Sequence, residues 1–158
     1  MHMSLPLVSA FRVVRPLVHA WGRLARGVVL GVRVVITDAE GRVLLVRHSY
    51  EPGWHFPGGG VERGETAEQA ARREAREEAG CDPGALALIG VFNNEKRVPG
   101  DHVLLYRATD FTPCASSAGA EIAESGWFTL EKAAESGSPA TRRRLRELFQ
   151  NAPADPYW

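Results

Sequence analysis

The segment from Thr66 to Ala79 is built almost wholly from Ala, Glu and Arg, and it follows closely on a glycine and proline loop, Trp54 to Gly60. An unbroken run of strong helix formers sets a helix there. Thr66 and Gln69 suit a capping box at its start, and Gly80 suits its C-terminal stop. β-Branched runs flank this loop and helix. VVLGVRVVIT and RVLLVRH, joined by Asp38-Ala39-Glu40-Gly41, predict a hairpin. Downstream, Leu86 to Phe92 and His102 to Ala108 predict two strands about a Pro99-Gly100-Asp101 turn, and Trp127 with Phe128 marks a short final strand. Glu131 to Ala134 predicts a helical turn, and Thr141 to Phe149 a last helix.

At 158 residues, the chain has the size of one domain. Its 44% hydrophobic and 24% charged residues are those of an ordinary globular protein. Nineteen basic side chains balance nineteen acidic ones, which argues against bulk electrostatic binding to a nucleic-acid backbone. Two cysteines, Cys81 and Cys114, make neither a disulfide framework nor a zinc knuckle, so a reducing, cytoplasmic setting is expected. The first 37 residues hold five arginines and no acid. Within residues 1–26, Phe11, Val14, Val18, Trp21 and Ala25 recur at helical spacing, which predicts an amphipathic extension ahead of a domain over 27–158. Such a stripe suits a helix over the core edge, a homodimer contact or docking at a membrane surface. Its apolar stretches are too short and broken to span a bilayer.

Glu74, Glu77 and Glu78 are spaced i, i+3 and i+4, so the three carboxylates leave one side of the helix. Like charges at that spacing repel by a few tenths of a kcal/mol per pair, roughly, and a divalent cation reverses the sign. Oxygen-only donors favour a hard ion, Mg²⁺ or Mn²⁺, which keeps water and binds substrate phosphate beside one or two carboxylates. Taken alone, a helix of this composition more often carries its glutamates as a solvated face, with Arg73 and Glu77 as an i,i+4 pair.

The wider pattern decides between these readings. In GGVERGETAEQAARREAREEAGC, Gly59 is followed after five residues by Glu65, after seven more by Arg73-Glu74, then by Glu77-Glu78 and by Gly80 with the apolar Cys81. Seven fixed identities arise by chance on the order of once in 10⁸ placements. This resembles the Nudix box, and the resemblance extends from the hairpin near Gly27 to about Leu130, including Trp54-His55-Phe56-Pro57-Gly58-Gly59-Gly60. Ala75 and Cys81 are small occupants of the two apolar slots. The resemblance implies an α/β/α sandwich around a mixed β-sheet and a Mg²⁺-dependent (or Mn²⁺-dependent) hydrolase of nucleoside diphosphates linked to another group, X. By position it makes Glu78 the main metal ligand, with Glu74 and Glu77 sharing ligation and water activation and the Gly59 carbonyl completing the site. Arg73 orients Glu74, and Glu65 supports loop and helix.

Such enzymes commonly add a carboxylate from outside the box. Glu121 and Glu124 are the candidates, with Glu121 favoured. Arg47 suits a guanidinium fork on phosphate, or equally a surface ion pair. Trp54, His55, Asn93, Asn94 and His102 are candidates for lining the X or base pocket, with core packing and turn capping as their ordinary roles. A small nucleotide is the expected partner: a nucleotide sugar such as ADP-ribose, or a non-standard nucleoside triphosphate, ahead of the 5′ end of RNA. The alternative from another class is a non-catalytic, Nudix-like nucleotide-binding or regulatory module.

Overall fold

The computed structural model describes residues 27–119 and 121–158; the amphipathic extension expected over 1–26 lies outside them. The strands are β1 (Val29–Ile36), β2 (Val43–His48), β3 (Cys81–Pro83), β4 (Ala87–Asn93), β5 (Asp101–Ala108), β6 (Phe111–Pro113) and β7 (Ile122–Phe128). The helices are α1 (Ala67–Ala79), α2 (Leu130–Ser136) and α3 (Pro139–Phe149). The central sheet has the order β1-β5-β4, with β1 parallel to β5 and β4 antiparallel to it. β2 pairs antiparallel with β7, and β3 with β6. No helix among the described residues is long and apolar enough to cross a membrane.

The hairpin expectation is corrected. β1 and β2 are joined by the Asp38 turn, whose side chain accepts from the Glu40 and Arg42 amides, but only Thr37 and Val43 pair across it. Val34, Val35 and Ile36 are fully buried in a row, and Val43, Leu44, Leu45 and Val46 are all buried. Strands buried on both faces need a layer on each side, and each satisfies its backbone elsewhere, β1 on β5 and β2 on β7.

Alternation along these strands feeds two cores. Val32, Val34, Ile36 and Leu44 meet Ala70, Ala71 and Ala75 of α1, while Val35, Val43, Leu45, Phe56 and Leu105 meet Ala133 of α2 and Leu145 of α3. That is the α/β/α layering expected, with alanines letting α1 lie close to the sheet. Thr66 forms the capping box with Gln69, and Gly80 closes the helix in the left-handed region at φ 62°. The close approach sets α1's polar edge against the loop Phe56 to Gly60.

Candidate active site

The loop is held by β1. The Val32 and Val34 amides donate to the Gly59 and Pro57 carbonyls at 2.8 and 2.9 Å, and Arg33 donates to the Gly58 carbonyl. Gly58 has φ 147°, and a Cβ there would lie 2.1 Å from the Val32 carbonyl oxygen, so only glycine fits. At Gly59 a Cβ would lie 2.5 Å from Glu74 Oε1. The missing side chain is thus the space into which the carboxylate fits.

Arg73 organises the acids. Its Nε and Nη2 donate to Glu65 at 2.9 and 3.1 Å, Nη1 donates to Glu74 at 2.7 Å and Glu77 at 3.2 Å, and Nη2 also donates to the Gly60 carbonyl at 3.1 Å. One guanidinium therefore joins helix, loop and the residue before the cap. The hydrogen bond from Arg73 holds Glu65 below the usual carboxylate range. Glu78 Oε2 accepts from the Gly58 amide at 2.8 Å. Burial pushes Glu78 up to about 7, against the pull of that amide and of Arg33. Burial also raises Glu74, and outweighs Arg73 beside it. Glu77 is the outermost of the three, its side chain 44% exposed.

His48 stands at the other side of Glu78, Nδ1 3.9 Å from Oε1, with its side chain 4% exposed and neither ring nitrogen hydrogen-bonded among the described residues. Burial lowers it to about 4. Its ring lies between those of Tyr50 and His55. Glu121 lies close enough to raise both Tyr50 and Glu78 by its charge, and its carbonyl accepts from the Ser49 amide. Glu124 is instead paired with Arg47 at 2.6 Å across β2 and β7. Of the two acids outside the helix, Glu121 is the one whose charge reaches Glu78.

Arg47 projects from the face of β2 opposite to His48, against Glu124 and over the Trp54 ring. The structure does not bring it to the helix acids. His55 lines a cavity of about 300 Å³ beside the glycine loop, together with Arg33, Gly59, Asn94, Asp101 and Trp158. It is buried, lies 3.7 Å from Glu51, and is lowered by burial. Asn93 is occupied elsewhere: its side chain accepts from the Glu95 amide and its backbone bonds Pro156 and Trp158. Its neighbour Asn94, donating to Asp101 at 2.7 Å, is the one that lines the cavity. Sequence reasoning missed Arg33 and His48. Strand alternation from Leu44 is a signal for His48, since Leu44, Val46 and His48 share a face. Arg33 has no local signal, because only the tertiary approach of the loop gives it a partner.

Among the described residues no three His, Cys, Asp or Glu side chains form a ready-made metal cage. A hard cation that retains water and substrate phosphate needs only one or two carboxylates. Glu74, seated in the space a Gly59 Cβ would fill, and Glu78 at the same loop supply that donor set. The residues present fit a hard divalent ion.

Residues 28–149 match the NUDIX domain family model. The chain is 31% identical over 125 residues to a Bacillus subtilis (strain 168) protein named as a candidate 8-oxo-dGTP diphosphatase, covering 79% of this chain and 82% of that one. It is 36% identical over 147 residues to the RNA pyrophosphohydrolase of Marinomonas sp. (strain MWYL1), covering 77% and 90%. Other RNA pyrophosphohydrolases are matched over 59 residues, about a third of their own length. A crystal structure of a MutT NUDIX hydrolase from Burkholderia pseudomallei superposes with a TM-score of 0.65 at 28% identity, covering 76% of this chain and 97% of that one. The match over most of the chain, and the glycine loop set against the acids of α1, make this protein a member of the NUDIX hydrolase family.

Proposed function

We propose that this hydrolase is a Mg²⁺-dependent (or Mn²⁺-dependent) pyrophosphohydrolase that cleaves a nucleoside diphosphate linked to a further group, by attack of water on phosphorus. The observation that carries this reading is the pair Glu74 and Glu78, largely buried against one glycine loop and tied to it by Arg73 and the Gly58 amide. Glu74, Glu77, Glu78 and the Gly59 carbonyl hold the ion. When bound, the ion neutralises phosphate charge and lowers the pKa of water. Arg73 keeps Glu74 in one orientation, and Glu65 keeps Arg73 in place. Glu121, whose charge reaches Glu78, accepts the proton lost by the attacking water. The new bond joins the water oxygen to phosphorus, and the bond to the bridging oxygen breaks. Arg33 and the cavity beside Gly59 take the nucleoside.

Relatives named for 8-oxo-dGTP and ADP-ribose cleavage support a nucleoside triphosphate or a nucleotide sugar as the substrate. A panel of nucleoside diphosphate derivatives, incubated with Mg²⁺ or Mn²⁺ and analysed by product mass, tests the reading. Release of a nucleoside monophosphate is the expected result, and no turnover of any member would contradict it.

A further inference from the structure

The side chain of His48 is 4% exposed, yet neither ring nitrogen has a hydrogen-bond partner among the described residues, and no other described residue has two such buried, unpaired atoms. Native structures keep few groups of this kind, because an unpaired polar atom away from water costs the fold stability. The ring is nonetheless fixed in place. Its centroid lies 5.2 Å from that of Tyr50 and 5.4 Å from that of His55, and Val46, two residues earlier on the same face of β2, is fully buried. The β2–β7 register also shifts between Arg47 and His48, an irregularity of the type that re-aims a side chain beside a site. Packing thus orders the imidazole without satisfying it.

Nδ1 of this ring lies 3.9 Å from Glu78 Oε1, about 1 Å beyond a hydrogen bond. The two oxygens of Glu78 are not equivalent. Oε2 accepts from the Gly58 amide at 2.8 Å, whereas Oε1 accepts from no donor among the described residues. An ionised carboxylate offers about four lone-pair sites, so Oε1 can take a donor and still face an ion. Shielded from water, an N–H bound to a charged oxygen is stronger than a hydrogen bond between neutral groups. A donor without an acceptor and an acceptor without a donor therefore stand side by side, and a small rotation of the Glu78 side chain joins them.

We propose that His48 is a positioning residue of the site: its Nδ1–H donates to Glu78 Oε1, the oxygen that the glycine loop leaves free, and with the Gly58 amide it fixes the orientation in which Glu78 holds the divalent ion. The inference rests on the proposed pyrophosphohydrolase reading of the same acids. His48 touches neither ion nor substrate and acts through Glu78 alone. Groups that hydrogen-bond a metal-bound carboxylate set its direction, and their loss typically weakens metal binding by about 10- to 100-fold.

The test measures Mn²⁺ affinity by electron paramagnetic resonance for the wild type, His48→Leu and His48→Asn, together with thermal melts of the same proteins in chelator. Leu fills the space without a donor. Asn is the conservative variant, because its Nδ2 follows Cγ as the imidazole Nδ1 does and can donate. His48→Leu should bind Mn²⁺ about 10- to 100-fold more weakly, and His48→Asn should recover most of that loss. In chelator the order should reverse, with His48→Leu melting at or above the wild type, since it removes two unpaired buried atoms, and His48→Asn melting below His48→Leu. A residue that only packs would leave Mn²⁺ affinity unmoved by the apolar substitution. Nuclear magnetic resonance of the wild type with ¹⁵N-labelled histidine gives a readout that needs no variant: with Mg²⁺ present, the His48 proton should sit on Nδ1, and that resonance should move as Mg²⁺ is added. Should either variant fail to fold, this measurement decides alone. Unchanged Mn²⁺ affinity in His48→Leu, equal losses in the two variants, or a His48 Nδ1 without a proton in the presence of Mg²⁺ would overturn the inference and leave the pyrophosphohydrolase reading intact. No Mn²⁺ binding by the wild type would remove that reading and this inference together.

Discussion

The Gly58 amide donates to Glu78 Oε2 at 2.8 Å, so a carboxylate raised by burial to about 7 is tied to the backbone of the glycine loop. Gly58 is itself pinned by β1, since its carbonyl accepts from Arg33 and any Cβ would collide with the Val32 carbonyl. Sheet, loop and helix thus meet at one acid whose charged form is under-compensated by protein alone.

That under-compensation has a sign. A carboxyl held above its unfolded value binds its proton more tightly in the fold, so its contribution to stability is complete below about pH 4.5 and lost as pH rises through about 7. Glu78→Gln should therefore stabilise the metal-free protein at pH 8, by on the order of 2 kcal/mol, and change little at pH 4. Thermal melts in chelator at both pH values check this; destabilisation at pH 8 would contradict it.

The same substitution removes a charge that the proposed mechanism needs. Loss of several kcal/mol of charge stabilisation corresponds to about 10³-fold in rate. Glu78→Gln is expected to combine a higher melting temperature at pH 8 without metal with a near-complete loss of hydrolysis. Steady-state rates on any substrate found in the panel provide the check.

Arg73 acts through its partners. Arg73→Lys keeps a positive charge but cannot reach Glu65, Glu74, Glu77 and the Gly60 carbonyl together. The expected outcome is a metal affinity weaker by about 10- to 100-fold, with activity partly restored at high metal concentration. A variant whose dependence on Mn²⁺ concentration matches the wild type would show that the network does not orient the acids.

Gly59→Ala tests the close approach. Its Cβ would meet Glu74 Oε1 at 2.5 Å, so the carboxylate must move, while the backbone there needs no left-handed conformation. Hydrolysis should fall by about tenfold or more, as expected for misplacement of a reacting group, with the fold retained by circular dichroism. Unchanged hydrolysis would contradict the placement of Glu74.

Arg144 provides a test away from the acids. It is fully buried, donates to Glu147 at 2.8 Å and to the Asp155 and Tyr157 carbonyls, and lies over the Phe92 ring. Arg144→Ala leaves the Asp155 carbonyl without a donor and removes one donor each from the largely buried Glu147, which keeps the Asp155 amide, and from the Tyr157 carbonyl, which keeps Arg143. It should cost about 3 kcal/mol in urea unfolding, and a cost under about 1 kcal/mol would contradict this role.

The layered fold was legible because its signals are local. Thr66, Gln69 and Gly80 bound α1 by side-chain and backbone chemistry that spans a few residues, and the spacing from Gly59 to Gly80 is a linear pattern. The parallel pairing of β1 with β5 joins residues some 70 positions apart and leaves no local trace. The β3–β6 ladder, three residues on each strand, is too short for a periodicity to appear. At the candidate site, Glu74, Glu78 and Arg73 share one helix, so their proximity follows from helical geometry. Arg33 and His48 reach the loop and Glu78 from different strands, and the partner of each is fixed only by packing. Arg47 is one position from His48 in sequence but on the opposite face of β2, which is why strand-end placement alone could not assign it.

The central claim is that the acids at the glycine loop hold a divalent ion, and a Mn²⁺ titration followed by electron paramagnetic resonance measures this most directly. The wild type should bind Mn²⁺ at a site that Mg²⁺ displaces and that weakens as pH falls below about 7, where Glu78 takes up its proton. In Glu74→Gln/Glu78→Gln that binding should disappear. Binding of equal strength in the double variant, or no binding by the wild type at millimolar Mn²⁺, would contradict the account.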